Sequence, residues 1–186
     1  MRSSLTQENS SRSTPWSSRK SIQLIELETK IAAPPERCFL LSLSIDLHLD
    51  STANTRERAI GGVTHGIIHA NQTVTWRGRH LGLMLEHTSL IDRYDRPRYF
   101  RDVMTSGHFR SFEHEHFFEP TVDGTLMRDR LRFEAPFGPL GWAAERFILR
   151  AYLTRFLRER DAVIKRVAES PSGEWRRYLE DRNVAS

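Results

Sequence analysis

Residues 110–135, RSFEHEHFFEPTVDGTLMRDRLRFEA, decide how this chain folds. Alternation along the first half puts Phe112, His114, His116 and Phe118 on one face of a strand, and Ser111, Glu113, Glu115 and Phe117 on the other. Val122-Asp123-Gly124 is a hairpin turn. Beyond it Thr125, Met127, Asp129, Leu131 and Phe133 share a face opposite Leu126, Arg128, Arg130, Arg132 and Glu134. The arginine side must meet water, so Asp129 points inward with Phe133, where an unpaired carboxylate is costly. It needs a partner, and His114 or His116 supplies one. Ionisable side chains set between apolar ones on one face mark a lined cavity.

The same reading extends in both directions. Six strands are predicted at about 57–63, 72–81, 83–95, 98–106, 109–120 and 124–135, separated by turn chemistry at Gly82, Asp95-Arg96-Pro97, Gly107 and Val122-Asp123-Gly124. Upstream, Ser21 to Ile31 reads as a first strand with Ile25, Leu27 and Ile31 toward the core. Ala33-Pro34-Pro35-Glu36 starts a short helix, because proline is tolerated in a first turn and an acid suits the positive end of the dipole. Cys38, Phe39, Leu41 and Leu43 supply its buried side, and a second helical turn covers Asp46 to Asp50.

Downstream, Pro136-Phe137-Gly138-Pro139 stops the sheet and the period changes. Leu149, Leu153, Phe156, Val163 and Val167 recur at helical spacing, with Leu157 and Ile164 beside them, so a long helix is expected from about Leu140 to Glu169. Pro171-Ser172-Gly173 ends it. The fold class is α+β: a helix-grip arrangement in which a curved antiparallel sheet of about seven strands wraps a long C-terminal helix, with two short helices after the first strand. The expected organisation is a disordered tail over 1–21, a ligand-binding domain over 22–169 and a loose C-terminal tail over 170–186.

Composition narrows the function classes. No apolar run approaches the ~18 residues needed to span a bilayer, so a soluble protein is expected. The formal charge is +4, but residues 1–20 hold four basic residues against Glu8, leaving +1 for the rest. A near-neutral folded part argues against a nucleic-acid partner, which needs positive charge gathered on one face. Cys38 is the single cysteine, which excludes an internal disulfide or a multi-cysteine zinc site and suits a reducing, cytoplasmic setting. The Ser-, Thr- and Arg-rich start lacks the apolar core of a secretory signal, and no amphipathic period supports a transit peptide.

Several pieces occur in an order that resembles the START-related ligand-binding superfamily called SRPBCC, over residues 22–169. They are Ile31-Ala32-Ala33-Pro34 through Phe39, Val74-Thr75-Trp76, His80-Leu81-Gly82, Asp95-Arg96-Pro97, Phe100-Arg101-Asp102 and Gly107-His108-Phe109. His114-Glu115-His116-Phe117-Phe118, Gly124 through Asp129 and Pro136 through Gly141 continue the match. One departure is Ala70, where glycine is expected before the strand at Val74. The resemblance implies a fold with a central hydrophobic cavity, and a superfamily that binds lipids, polyketides and other apolar small molecules. Members of this branch often carry labels such as polyketide cyclase or cell-division inhibitor, and fold alone supports neither.

The residues expected at a ligand site are Trp76, His80, Phe100, Asp102, Met104, Phe112, His114, His116, Phe118, Met127, Asp129 and Phe133. Candidate acid–base residues are His114, His116, Asp129 and Asp102, since a carboxylate beside a buried imidazole fixes its tautomer and raises its basicity. Same-face histidines two apart can both reach one ion, with Asp129 or Asp102 as a further ligand. Two histidines bonded to buried aspartates satisfy the same geometry without an ion, so no metal or other cofactor is expected. No Gly-x-Ser-x-Gly motif or phosphate-binding glycine loop accompanies them. The leading reading is a carrier or sensor of an apolar small molecule. The alternatives are a cyclase- or hydratase-type enzyme using the His/Asp pair, and a protein-interaction module. Arg146, Arg150, Arg155, Arg158 and Arg166 are expected on the solvated face of the long helix, with transient contact to a membrane surface if ligand is collected from a bilayer.

Overall fold

The computed structural model describes residues 22–134 and 145–179. Strand β1 (Gln23–Ile31) leads into two short helices, α1 (Pro35–Ser42) and α2 (Ile45–Ser51), which are followed by β2 (Arg58–Gly62). Strands β3 (Thr73–His80), β4 (Leu83–Asp95), β5 (Tyr99–Ser106), β6 (Ser111–Thr121) and β7 (Gly124–Glu134) complete one antiparallel sheet in the order β1-β7-β6-β5-β4-β3-β2. A π-helical turn, Glu145–Leu149, runs into α3 (Arg150–Ala168), and a final turn, α4 (Arg176–Leu179), closes the described chain. This is the helix-grip architecture.

Local chemistry explains the boundaries. Pro35 opens α1 where its missing N–H costs nothing, and Ser44 caps α2 by accepting a hydrogen bond from the Leu47 amide. Gly124 makes the β6–β7 turn at φ +143°, and a Cβ there would lie 2.2 Å from the Ile31 carbonyl oxygen. Only glycine fits. Next to Ala70, the residue in the left-handed region is Asn71, at φ +63°.

Alternation in β6 and β7 puts His114, His116, Phe118, Met127, Asp129, Leu131 and Phe133 inside. The outer arginines pair with strand-neighbour acids: Arg130 with Glu26, and Arg132 with Glu113 and Glu115. The positive face that residues 128–132 suggest is therefore locally neutralised. Two apolar clusters hold the layers together. One gathers α1, α2 and the end of α3 around Phe39, whose ring meets Phe100 and Phe118 edge-on. The other joins Ile25, Leu131 and Phe133 to Leu153 and Leu157.

Two expectations need correction. The buried line of α3 runs through Leu153, Leu157, Ile164 and Val167, with Phe156 and Val163 half-buried beside it, because Arg160 and Asp161 occupy the turn between. The segment after Pro171 is not loose: Tyr178 is 3% exposed, its hydroxyl donates to Asp50 at 2.7 Å, and Ser44 donates to its carbonyl. Trp175 packs on the core beneath the Arg37 guanidinium. The 1–21 tail, the start of the long helix at Leu140 and residues 180–186 lie outside the described residues. Among the described residues, no helix is long and apolar enough to cross a membrane.

Candidate functional site

A cavity of about 210 Å³ lies between the concave face of the sheet and α3. Ile68, Val74, Ile91, Phe112, Leu153 and Phe156 give it apolar walls, and the exposed Leu81 and His108 lie at its rim. Of the residues expected at a ligand site, Trp76, His80, Phe100, Asp102, Phe112, His114 and His116 line it. Met104, Phe118, Met127, Asp129 and Phe133 do not. Phe118, Met127 and Phe133 are core, Met104 is half-buried near the end of β5, and Asp129 sits behind the histidines. Pleat direction assigns a residue to the inner face, but not to the part of that face left uncovered by α1 and α3.

Register builds the polar wall. Asp102 on β5 is opposite His114 on β6, and His116 on β6 is opposite Asp129 on β7. Oδ1 of Asp129 lies 2.8 Å from Nε2 of His114 and 2.9 Å from Nδ1 of His116. Neither approach has good hydrogen-bond alignment. The other nitrogen of His116 lies 3.1 Å from Oδ2 of Asp102. His116 is therefore held between two carboxylates, with Phe100 stacked on its ring at 4.1 Å.

These contacts set the charges. Burial alone would push Asp102 up, but the hydrogen bond to His116 and the charges of His114 and His116 outweigh it and bring the carboxyl down to about 2. Asp129 is likewise driven below the usual carboxylate range against its burial, chiefly by the charge on His116 and contact with His114. For His116 burial is overcome by Asp129 and Asp102, and the ring is held above its ordinary value. His114 goes the other way: burial, reinforced by the charge on His116, holds it down. Two rings 3.8 Å apart are thus shifted in opposite directions.

The α3 residues Arg160 and Asp161 complete the cluster and were missed by sequence reasoning. Arg160 is 7% exposed, donates to the Ser42 carbonyl at 3.0 Å and brings Nη1 within 3.7 Å of Asp129. Two anions, Asp102 and Asp129, then face two cations, His116 and Arg160. Asp161 has no cation left to itself. Burial and the charge of Asp129 push its carboxyl up to about 8. The signal was present in the sequence, since positions 160 and 161 fall between Leu157 and Ile164 on the apolar stripe.

Three donor atoms from Asp102, His114 and His116 lie within 4.8 Å of one another, close enough to hold a small cation. Arg160 beside Asp129 already supplies positive charge there, so the four-residue network balances without one. Ser89 extends the network, donating to Asp102 at 3.4 Å and contacting His87 at 3.0 Å. His48 and Glu57, a second polar group on the cavity wall, were also not anticipated. His65 and His69 are exposed. Arg150, Arg155, Arg158 and Arg166 are exposed along α3.

No family model matches the chain, and no curated protein sequence matches it. Solved structures do. The ZhuI aromatase/cyclase from Streptomyces sp. R1128 superposes with a TM-score of 0.63 at 15% identity, over 87% of this chain and 98% of that one. TTHA0849 from Thermus thermophilus gives a TM-score of 0.62 at 17% identity, over 76% and 97% of the two chains. The major latex-like protein 151 from Panax ginseng gives 0.52 at 14% identity, over 76% and 96%. Identities this low speak to architecture alone. The likeness is one of architecture, and the chain has the helix-grip fold.

Proposed function

We propose that this protein binds a compact apolar molecule in the cavity, as a carrier or sensor. The observation that carries this reading is a space with mostly apolar walls, left between the sheet and α3. A pocket that buries a drug-sized ligand spans ~300–1,000 Å³. The 210 Å³ here suits a small ring system or a short chain, with any remainder projecting past Leu81 and His108. Native mass spectrometry of protein taken from its source, followed by denaturing extraction, tests it. The expected result is a released apolar species. Protein that is always empty, and that fails to take up fatty acids, polyketides or isoprenoids, overturns the reading.

A second reading is favoured by the His–Asp wall. His116 held charged beside a neutral His114 places a fixed cation next to a base, the arrangement that proton transfer in a cyclase or hydratase requires. Likeness to an aromatase/cyclase supports it in fold only. Its test is turnover of a small polyketide that His114→Gln abolishes while the melting temperature is kept. Turnover unaffected by changes at His114, His116, Asp102 and Asp129 removes it.

A further inference from the structure

A second polar group opens on the same cavity, away from the His–Asp cluster. Nε2 of His80 lies 2.9 Å from Oε1 of Glu57, and Nδ1 of the same ring lies 2.7 Å from the hydroxyl of Tyr152. The other oxygen of Glu57 lies 2.7 Å from Nε2 of His48, whose ring stacks on Trp76 at 4.1 Å. The Glu57 side chain is 7% exposed, and all five residues line the cavity. We propose that Glu57, His80 and Tyr152 form a proton relay in which the Tyr152 oxygen takes the hydroxyl proton of a neutral apolar ligand. This rests on the cavity being a ligand site.

Donor and acceptor chemistry sets the direction. Burial raises Glu57, but hydrogen bonds from His48 and His80 outweigh it and hold the carboxyl well below the usual range. An ionised carboxylate only accepts, so Nε2 of His80 carries the hydrogen, and in the neutral form of the ring Nδ1 offers its lone pair to the Tyr152 O–H. The phenol oxygen then has lone pairs free for a donor in the cavity. In the transfer, the ligand O–H bond breaks and its proton bonds to Tyr152. The phenol's own proton passes to Nδ1 of His80, leaving an oxyanion on the ligand and an imidazolium stabilised by Glu57. The return step reverses each bond change. A ligand that arrives already anionic is disfavoured by Glu57, whose charge, after burial, is among the causes that push the Tyr152 phenol up.

Gly78 shows that the strand makes room for this carboxylate. It lies between Trp76 and His80 on the inward face of β3, and a Cβ there would meet Glu57 Cγ at 2.5 Å and His80 Nε2 at 3.2 Å. Its φ lies outside the left-handed region, so alanine is allowed by the backbone and excluded by Glu57.

Two probes of nearly equal size, 2-naphthol and naphthalene, separate the relay from the cavity. Calorimetry on the full chain should show 2-naphthol bound about tenfold tighter, the size of one net hydrogen bond. Bound naphthol, a photoacid, should emit as naphtholate. Tyr152→Phe and Gly78→Ala should each bring the preference within about twofold and restore neutral-naphthol emission. Naphthalene binding should persist in both variants, showing that they fold. Unchanged preference and emission in both variants overturns the relay, as does equal binding of the two probes by the parent protein, which leaves the cavity reading intact. Binding of neither probe removes both.

Discussion

Nδ1 of His116 lies 2.9 Å from Oδ1 of Asp129, so a ring buried to 1% exposure faces a carboxylate on each of its nitrogens. Carboxylates on both sides favour the charged ring, and the imidazolium is the form that fits. His114, next to it, has burial and a neighbouring positive charge against protonation. We expect nitrogen chemical shifts to show His116 still doubly protonated at a pH where His114 is already neutral. Titration of both rings together near pH 6.5 would refute this. The linkage follows. His116, raised, contributes stability that is complete below pH 6.5 and lost as pH rises through its folded value. His114, lowered, contributes stability lost as pH falls below 6.5.

Removing Asp129 should be costly. Asp129→Ala leaves His116 and Arg160 buried near each other without the anion between them, a loss on the order of 3 kcal/mol. Asp129→Asn keeps the shape and one acceptor and should cost less. Urea unfolding at pH 7 distinguishes them, with Asn falling between the parent protein and Ala.

Much of this site was legible because a strand has a period of two. Once the arginines of residues 128–132 are placed in water, Asp129, His114 and His116 must share the interior, and the register pairs His116 directly with Asp129. Asp102 is set beside them by the β5–β6 register, which pairs it with His114. Arg160 and Asp161 were not legible in that way, since charged residues on a helix are ordinarily assigned to its solvated face and only their place on the stripe argued otherwise. Glu57 escaped because it falls at the very start of the strand expected at about 57–63, and one residue before the observed β2, where alternation does not fix its direction. Phe118, Met127 and Phe133 show the opposite limit: the inward face was right, but what covers each position depends on α1 and α3.

The end of the chain carries stability that its short, polar sequence conceals. Tyr178 fills a gap beside α2, bonded through its hydroxyl to Asp50 and through its carbonyl to Ser44. Tyr178→Ala should lower stability by about 3 kcal/mol, as truncation of a buried aromatic does. Thermal denaturation will show it. Tyr178→Phe loses the hydroxyl's contacts to Asp50 and Arg177, both exposed, and should stay within about 1 kcal/mol of the parent protein.

Asp161 is the member of the buried cluster with no cation to itself. Its carboxyl is 3% exposed, and both oxygens lack a hydrogen-bond partner among the described residues. The groups facing it are Asp129, Arg160 at 3.9 Å, His116 and Thr29, and burial, joined by the charge of Asp129, outweighs the help from the cations. A carboxyl raised from 3.8 to about 8 binds its proton more tightly folded than unfolded. Its contribution to stability is therefore complete below pH 3.8 and is lost progressively as pH rises toward 8. Asp161→Asn removes this term while keeping the volume. The variant should match the parent protein near pH 4 and become more stable than it from pH 5 to pH 8, by about 1–3 kcal/mol at the upper end. Chemical unfolding across that range measures the difference. A gap that is flat with pH, or that narrows toward pH 8, would mean that Asp161 is ionised in the folded protein and paired with Arg160.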